Sequence, residues 1–311
     1  MNELATALAK EAREAGFDDV GVCRASVEMP FRAEVDEALS SGRFDVFSWM
    51  QGTKDQRLDV QARMPSAKSV VVVVQSYWQG DHSDHVDDAV LDRSAKVSRY
   101  AWGQDYHHIM RRKLRRLRKW LLARAPDAKV APFNDVDAVT ERAWAVACGL
   151  GFIGKSGMFI SHSLGTWTFL GGLLTDIALF DDDEADVPRV RPSCGSCTAC
   201  LEACPTQAII APQVIDPLRC LTTWNIEEPE DPRGDAFAGA GWAAGCDVCQ
   251  EVCPWNKFAV TTREERYRPR HVAIDPDAPP DDVAGTPLAR PGQEHLARLA
   301  RRALRKPGSD G

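Results

Sequence analysis

Two cysteine-rich stretches decide how the second half of this chain folds: Cys194–Pro205, CGSCTACLEACP, and Cys246–Pro254, CDVCQEVCP. The first has the spacing C-x2-C-x2-C-x3-C-P, the bacterial run in which three thiolates bind one [4Fe–4S] cluster and the fourth binds another. The second stretch has the same spacing without its first cysteine, and Cys220 can supply the missing ligand. The pattern therefore predicts a ferredoxin-like segment that holds two clusters.

Eight of the ten cysteines belong to this segment, and all are used if each cluster takes four thiolates. Crossing the last cysteine of each run assigns Cys194, Cys197, Cys200 and Cys253 to one cluster and Cys204, Cys220, Cys246 and Cys249 to the other. Soft thiolate sulfur suits iron–sulfur iron, but paired CxxC motifs also bind structural zinc, which is the alternative here. Cys23 and Cys148 lie among apolar residues, where buried thiols are expected.

The composition indicates a globular protein of about two domains, with 311 residues and a net charge of −7. The longest aliphatic run, Val70–Val74, is far shorter than the ~20 residues that a membrane span needs. The N-terminus mixes charges with alanine and leucine, which predicts a helix and no export signal. We expect a cytoplasmic protein without membrane contact or structural disulfides. The acidic average also argues against nucleic-acid partners.

Hydrophobic periodicity predicts an α+β fold in three parts. Residues 1–188 form a mixed-sheet domain, 189–260 the ferredoxin-like domain, and 261–311 a proline-rich segment that ends in a basic helix. An acidic stretch at 181–192 is the expected linker. The predicted elements are helices at residues 2–16, 107–125 and 140–151, strands at 20–23 and 69–78, and paired strands with glycine turns within 158–176.

Two further motifs suggest chemistry that we do not expect. GLGFIGKS, residues 149–156, matches both the dinucleotide pattern G-x-G-x-x-G and the phosphate-loop pattern G-x-x-x-x-G-K-S. Both sites need a strand before the glycines and a helix after them, whereas here a helix precedes and a strand follows. The glycines should instead end the helix and bring backbone close to some other ligand. GDHSDHVDD, residues 80–88, favours a solvated acidic loop over a metal site.

Basic residues concentrate on two short helices, which together hold twelve of the 38 Lys and Arg. Residues 111–120, RRKLRRLRKW, contain seven of them, and the C-terminal helix adds Arg298, Arg301, Arg302, Arg305 and Lys306. A solvated helix face is the simpler interpretation. A polyanion site is the alternative, because salt limits the range of a charge to roughly 8 Å and local concentration then outweighs the acidic average.

Five ordered motifs resemble those of the epoxyqueuosine reductases. They are SRYAWGQDYH (98–107), FNDVDAVTERAWAVACGLGFIGKSG (133–157), CGSCTACLEACPTQAI (194–209), DPLRCLTTWNIE (216–227) and GCDVCQEVCPWN (245–256). The resemblance covers about residues 1–260 and includes WM at 49–50, Arg57 and MPSAKSVVVVVQSYW.

This resemblance implies a cobalamin-binding catalytic domain, similar to cobalamin-processing and flavin-reductase-like α/β domains, followed by the two-cluster domain. The implied activity is reduction of epoxyqueuosine to queuosine at the wobble position of tRNA, with tRNA bound through its anticodon loop. The implied cofactors are two [4Fe–4S] clusters and base-off cobalamin. An external donor such as flavodoxin or ferredoxin should supply electrons, and we expect a monomer.

The implied proton donor is an aspartate six residues before an acidic–Arg pair. Counting back from Glu141 gives Asp135 and not Asp137. A proton-donating carboxyl should be partly buried so that its pKa rises toward neutral pH; without the resemblance, Asp135 would be a turn or cap residue. The implied cobalamin contacts are Arg57, Ser98, Asp135, Phe159, Leu170, Thr222 and Cys246.

Other features of the resemblance concern histidine, tryptophan and RNA binding. His107 belongs to the start of a D-x-H-x-x-G signature for histidine-ligated cobalamin, but Met110 replaces the glycine, so that binding mode is not expected. Trp102 and Trp224 could stack on an extruded base, although core packing is the simpler role. We expect residues 111–120 and the tail to grip tRNA, because the sequence ends where many family members continue into a helical-repeat domain.

The sequence also departs from the family pattern, and it leaves two other functions open. Val136-Asp137-Ala138-Val139 stands where the family has a small residue and a proline. A reductive dehalogenase-like enzyme would use the same cofactors on another substrate. A plain iron–sulfur electron carrier would have no substrate of its own.

Overall fold

The computed structural model describes residues 2–26, 28–180 and 194–305. Its α-helices are α1 (Glu3–Glu14), α2 (Arg32–Ser40), α3 (Ser48–Gln51), α4 (Lys54–Leu58), α5 (Val60–Arg63), α6 (Asp88–Leu91), α7 (Tyr106–Leu122), α8 (Glu141–Ala147), α9 (Ala199–Ala203), α10 (Val248–Glu251) and α11 (Gln293–Leu304). Its strands are β1 (Asp19–Arg24), β2 (Ser69–Ser76), β3 (Ala95–Val97), β4 (Val130–Asn134), β5 (Gly151–Ile153), β6 (Phe159–Ser161), β7 (Thr168–Thr175), β8 (Ile209–Ala211), β9 (Val214–Ile215), β10 (Trp242–Ala244) and β11 (Ala273–Ile274). This arrangement confirms the α+β class.

The chain forms two compact units, each assembled from separate stretches. The first takes the described residues of 1–76, 107–197 and 255–260, and the second takes those of 77–106, 198–254 and 261–311. The predicted linker at 181–192, the boundary after residue 188 and Lys306 lie outside the described residues. The three-part domain layout therefore stays a prediction.

A four-stranded antiparallel sheet of order β1-β2-β7-β4 forms the centre of the first unit. All eight residues of β2 are buried, as its run of β-branched residues predicts. Val70, Val72 and Val74 join the apolar cluster that includes Trp144 of α8. Val71 and Val73 alternate with them and so face the other side of the sheet, which explains why the whole run is apolar.

Helix α7 buries the apolar face that its periodicity predicts. Met110, Leu114, Leu117 and Leu121 are all fully buried. Its close approach to β7 depends on Gly171, where an added Cβ would lie 3.2 Å from side-chain atoms of both Met110 and Leu114. The opposite face of the helix keeps six of the seven basic residues exposed, whereas Lys113 is buried and donates a hydrogen bond to the carbonyl oxygen of Gly16.

The prediction for residues 158–176 was correct about the strands but wrong about their pairing. Strand β6 pairs with β5 in a separate hairpin, whereas β7 pairs with β2 and β4. Periodicity marks a strand but does not identify its partner. The helix stop at Gly149 is confirmed, with φ of 74°, and the letters of the phosphate loop fall in the β5–β6 hairpin.

The second unit contains a three-stranded sheet of order β10-β3-β11, in which β10 is parallel and β11 antiparallel to β3. Among the described strands, parallel pairing occurs in this small sheet, two of whose strands lie beyond residue 188, whereas the four-stranded sheet within residues 1–188 is antiparallel. Helix α11 buries Leu296 and Ala300 in the same apolar cluster as Val97 and Ile274. Helices α9 and α10 and the β8–β9 hairpin lie in the cysteine-rich segment.

Burial corrects one expectation and confirms another. The 80–88 loop is not solvated throughout, because His82 is 4% exposed and its ring packs edge-on against Trp102 and Trp242. Burial, followed by the positive charge of Arg99, lowers the pKa of His82 to about 4, so this ring is neutral. Trp102 and Trp224 are both core residues. In the parts of the chain that are described, no helix combines the length and apolarity needed to cross a bilayer.

Candidate functional site

Asp135 follows the last residue of β4 and extends an open carboxylate from the first unit. Its side chain is 58% exposed, and His107 Nε2 lies 3.2 Å from its Oδ2. The expected partial burial is therefore wrong, because the residue that the sheet buries here is its neighbour Asn134. His107 thus contacts the carboxylate of Asp135 in this structure. Met110, which stands at the glycine position of the D-x-H-x-x-G signature, is fully buried in α7.

Asp137, the other candidate acid, has a structural position. Its Oδ1 forms a 2.8 Å ion pair with Arg63, and its Oδ2 accepts a 3.0 Å hydrogen bond from the backbone N–H of Asn134. Both carboxylate oxygens therefore stabilise the turn after β4. Of the two aspartates, Asp135 has the side chain that is more open to a substrate.

Arg57 lies on α4, within electrostatic range of Glu141 and Asp135. Its Nε donates a 2.9 Å hydrogen bond to Thr53, and its guanidinium carbon lies 5.1 Å from the ring centroid of Trp49. Burial lowers the pKa of Arg57, while the charges of Glu141 and Asp135 raise it. Trp49, from the WM pair at 49–50, is 50% exposed and adds an open aromatic surface beside Arg57.

Glu141 is the functional candidate that sequence reasoning missed. Burial, together with the charge of Asp135, raises its pKa to about 8, while its own backbone N–H, Arg142 and Arg57 act in the opposite direction. Its Oε1 is buried without a hydrogen-bond partner among the described residues. The carboxyl therefore keeps a proton at neutral pH near Asp135. A signal was available in the sequence, since Glu141 is the first residue of the helix ERAWAVA, which is apolar after Arg142.

The residues implied as cobalamin contacts divide between the units. Arg57, Asp135, Phe159 and Leu170 belong to the first unit, and Ser98, Thr222 and Cys246 to the second. Phe159 is only 3% exposed and packs in the core, whereas Leu170 is partly buried at the edge of the same cluster.

Unsatisfied polar atoms near these positions fit a ligand that carries polar groups. Among the described residues, Asn134 Nδ2, Glu141 Oε1 and Thr168 Oγ1 are buried without a hydrogen-bond partner. Thr168 precedes Leu170 by two residues on β7 and so shares its face. Buried polar atoms are seldom left unpaired, so the side groups of a bound corrin fit these atoms.

In the second unit, Ser98 is buried and donates a short hydrogen bond to Asp247. The fully buried Asp247 also accepts from the backbone N–H of Arg99 at 2.8 Å and from its Nη1 at 3.0 Å. Arg99 Nη1 also donates to Glu251 at 2.7 Å. Because Asp247 and Glu251 flank Cys249, this network fixes the second cysteine run.

Four cysteines of the second unit lie within electrostatic range of one another. Burial raises the pKa of Cys249, and the charges of Cys220 and Cys204 raise it further. Burial likewise raises the pKa of Cys246, with Cys249 and Cys220 adding to the shift. None of the eight clustered cysteines forms a disulfide within the described residues, so the donor set suits iron–sulfur ligation.

Hydrogen bonds to individual sulfurs add detail to this set. The backbone N–H of Ala208 donates to Cys204 Sγ at 3.2 Å. Burial raises the pKa of Cys204, but donors from Thr206 and Ala208 outweigh it and lower the pKa overall. No group of three or more His, Cys, Asp or Glu within the described residues could hold a single metal ion. Outside the segment, Cys23 is buried as expected, whereas Cys148 is half-buried.

Comparison with known proteins gives matches over both parts of the chain. The family described as "Epoxyqueuosine reductase QueG, DUF1730" matches residues 57–136, and the "4Fe-4S double cluster binding domain" matches residues 193–256. The epoxyqueuosine reductase of Synechocystis sp. is 40% identical, over 74% of this chain and 76% of its own. That of Synechococcus sp. is 38% identical, over 86% of this chain and 80% of its own.

The chain belongs to the epoxyqueuosine reductase family. An epoxyqueuosine reductase solved with an epoxyqueuosine-modified tRNA-Tyr stem loop has a TM-score of 0.80 at 25% identity, over 97% of this chain and 81% of its own. The Bacillus subtilis enzyme, solved with its catalytic aspartate loop swung out of the active site, has a TM-score of 0.78 at 25% identity with the same coverage. The double-cluster match favours two [4Fe–4S] clusters over the zinc alternative.

Proposed function

We propose that this epoxyqueuosine reductase reduces epoxyqueuosine to queuosine at the wobble position of tRNA and that Asp135 is its proton donor. The observation that carries the proposal is the open Asp135 carboxylate beside His107, in a chain of this family. Asp137 is a weaker candidate because Arg63 and the turn occupy both of its oxygens.

The reaction requires both electrons and protons. Converting an epoxide to an alkene takes up two electrons and two protons and releases the oxygen as water. Asp135 gives a proton to the departing oxygen, which would otherwise leave as a strongly basic anion. His107 positions the carboxylate, and Glu141 keeps a second proton near it at neutral pH.

The cofactors supply the reducing chemistry. Cobalamin, when bound, supplies a low-valent cobalt centre at the epoxide, and the two clusters supply electrons one at a time. The proposed cobalamin contacts are Arg57, Ser98, Asp135, Phe159, Leu170, Thr222 and Cys246. The proposed ligands are Cys194, Cys197, Cys200 and Cys253 for one cluster and Cys204, Cys220, Cys246 and Cys249 for the other.

The exposed face of α7 is the proposed grip on the tRNA backbone. Arg112, Arg115 and Lys119 are exposed and follow i, i+3, i+7 spacing, so they form one stripe about 10 Å long. Within the described residues, none of the three has an ion-pair or hydrogen-bond partner. The stripe lies on α7, and the second residue of that helix, His107, contacts Asp135. Phosphates bound along the stripe would therefore lie on the same helix as the histidine that contacts the proposed proton donor.

The remaining partners follow from this chemistry. We propose that this enzyme works in the cytoplasm as a monomer and receives electrons from a carrier such as flavodoxin or ferredoxin. A dehalogenase-like substrate is not favoured by the family match, and a plain electron carrier leaves Asp135, His107 and Glu141 without a role.

A substitution at Asp135 tests the proposal. Asp135→Asn should leave both clusters and bound cobalamin in place while turnover of an epoxyqueuosine stem loop falls roughly 10²- to 10⁴-fold. Asp137→Asn is the matched control, which should lower thermal stability by breaking the Arg63 ion pair and keep most of the turnover. Unchanged turnover in Asp135→Asn, or an equal collapse in both variants, would contradict the assignment.

A further inference from the structure

The β5–β6 hairpin, whose letters imitate a phosphate loop, contacts the first cysteine turn. Lys155 Nζ donates hydrogen bonds of 2.8 Å to the carbonyl oxygen of Gly195 and 2.9 Å to that of Cys197. These carbonyls belong to the turn Cys194–Cys197. In a nucleotide-binding phosphate loop, the lysine at this position binds phosphate. Here Lys155 binds backbone carbonyl oxygens instead.

The hairpin tip is built for this approach. Gly154 faces the turn, and a Cβ added there would lie 3.7 Å from Cys194 Sγ but only 2.5 Å from Ile160 Cδ1. Gly157 has φ of 74°, and its N–H bonds to the carbonyl of Gly154 at 2.9 Å. The positive φ of Gly157 therefore favours glycine at the tip, and a side chain at Gly154 would have to displace the end of Ile160.

The tip of the hairpin is also hydrogen-bonded to helix α8. Arg142, the second residue of α8, donates a 2.8 Å hydrogen bond to the carbonyl oxygen of Gly157. Its neighbour Glu141 lies in the Asp135 environment. One continuous set of contacts within the first unit thus connects the proton-holding group, the hairpin and the cysteine turn.

We propose that Lys155 is a positioning residue for the cluster bound by Cys194 and Cys197, which it braces while placing a positive charge beside it. This rests on the proposed assignment of those two cysteines to one cluster. Reduction adds negative charge to a cluster, so a nearby ammonium stabilises the reduced form and raises the midpoint potential. Within the described residues, no lysine donates a hydrogen bond to the turns that carry Cys204, Cys220, Cys246 and Cys249, so the cluster assigned to them serves as an internal reference.

The test is an EPR-monitored redox titration of reconstituted protein, combined with iron analysis. Cys194→Ser first identifies the signal of the braced cluster. Lys155→Met should then move that signal to lower potential, or remove it with about half of the iron, while the reference signal stays constant. Lys155→Arg should restore most of the wild-type value, and Lys129→Met, an exposed lysine away from the cysteines, should change nothing.

The alternative outcomes separate the two claims. If Lys155→Met alters neither signal, alters both equally, or alters only the reference signal, the bracing role is overturned while the enzyme assignment stands. If wild-type protein does not hold two clusters, or Cys194→Ser removes neither signal, the proposed cluster assignment itself fails before Lys155 is considered.

Discussion

Helices α7 and α11 look alike in sequence and differ in what their cations touch. Both are amphipathic and arginine-rich. On α7, Arg111, Lys113, Arg116 and Arg118 have hydrogen-bond partners within the protein. Arg112, Arg115 and Lys119 project into solvent without a partner within the described residues. On α11, Arg298 donates to the carbonyl of Pro229 and Arg301 to that of Pro276. Arg302 is buried and donates to the carbonyl of Trp224, so α11 uses its cations to hold the second unit together.

This difference shows that the number of basic residues does not identify a polyanion site. A guanidinium that already binds backbone carbonyls has little left to offer a phosphate, whereas an unpartnered one can replace the counterions of RNA. The prediction that the C-terminal tail also grips tRNA is therefore not supported by the contacts of Arg298, Arg301 and Arg302, and the proposal now rests on α7.

The largest effect should come from removing the buried cation of α11. Arg302→Ala leaves the Trp224 carbonyl without its donor and opens space beside Gly234, and should lower the unfolding free energy by about 3 kcal/mol. Chemical denaturation measures this value. Arg298→Ala, on the exposed side of the same helix, is the control and should cost under about 1 kcal/mol; equal losses would remove the distinction.

The next effect concerns RNA affinity. The triple variant Arg112→Gln, Arg115→Gln, Lys119→Gln should weaken tRNA binding roughly fiftyfold near 0.15 M salt and reduce the slope of log K against log salt by about 2 to 3. Fluorescence anisotropy with a labelled anticodon stem loop gives both numbers, and thermal stability should stay near wild type.

Arg298→Gln with Arg301→Gln is the matched control for this experiment, because it removes cations from α11 and leaves α7 intact. Its salt slope should equal that of the wild type. A larger loss of affinity from the α11 double variant than from the α7 triple variant would reverse the comparison between the helices.

The smallest effect is the pH dependence of stability that Glu141 introduces. The folded-state pKa of Glu141 is about 8, well above the ~4.3 of an unfolded glutamate. The folded state therefore holds more protons between these values, and Glu141 makes the protein less stable as pH rises through this window.

Glu141→Gln removes this dependence and should raise the melting temperature by a few degrees at pH 8 but much less at pH 5. Asp135, Arg57 and Arg142 remain to face the new amide. Differential scanning calorimetry across that range, with Glu14→Gln as a surface control, checks the prediction. A difference that stays constant with pH would show that Glu141 does not titrate in this window.

Local patterns in the sequence predicted the features that depend on neighbouring residues. Three features could be predicted because each depends on residues close together in the sequence. They are the spacing of the cysteines, the buried valine run of β2 and the apolar face of α7. Asp135 was located by counting from Glu141, which needed the family resemblance and not a physical rule.

The features that the sequence did not predict depend on residues far apart in the chain. The partners of β6 and β7, the burial of His82 between two tryptophans and the carbonyls that bind Arg298 and Arg301 are all long-range contacts. The raised pKa of Glu141 likewise comes from burial and from charges on other elements. The helix before and the strand after the phosphate-loop letters were predicted, but the hydrogen bonds of Lys155 to the Cys194–Cys197 turn became visible only with the hairpin in place.

The central claim is that this protein reduces epoxyqueuosine with Asp135 as acid. Mass analysis of wobble nucleosides from cells lacking the protein tests it most directly, with the wild-type chain and Asp135→Asn returned separately. We predict that epoxyqueuosine accumulates without the protein, that the wild type restores queuosine and that Asp135→Asn does not. Normal queuosine with no accumulated epoxyqueuosine in the deleted cells would contradict the account.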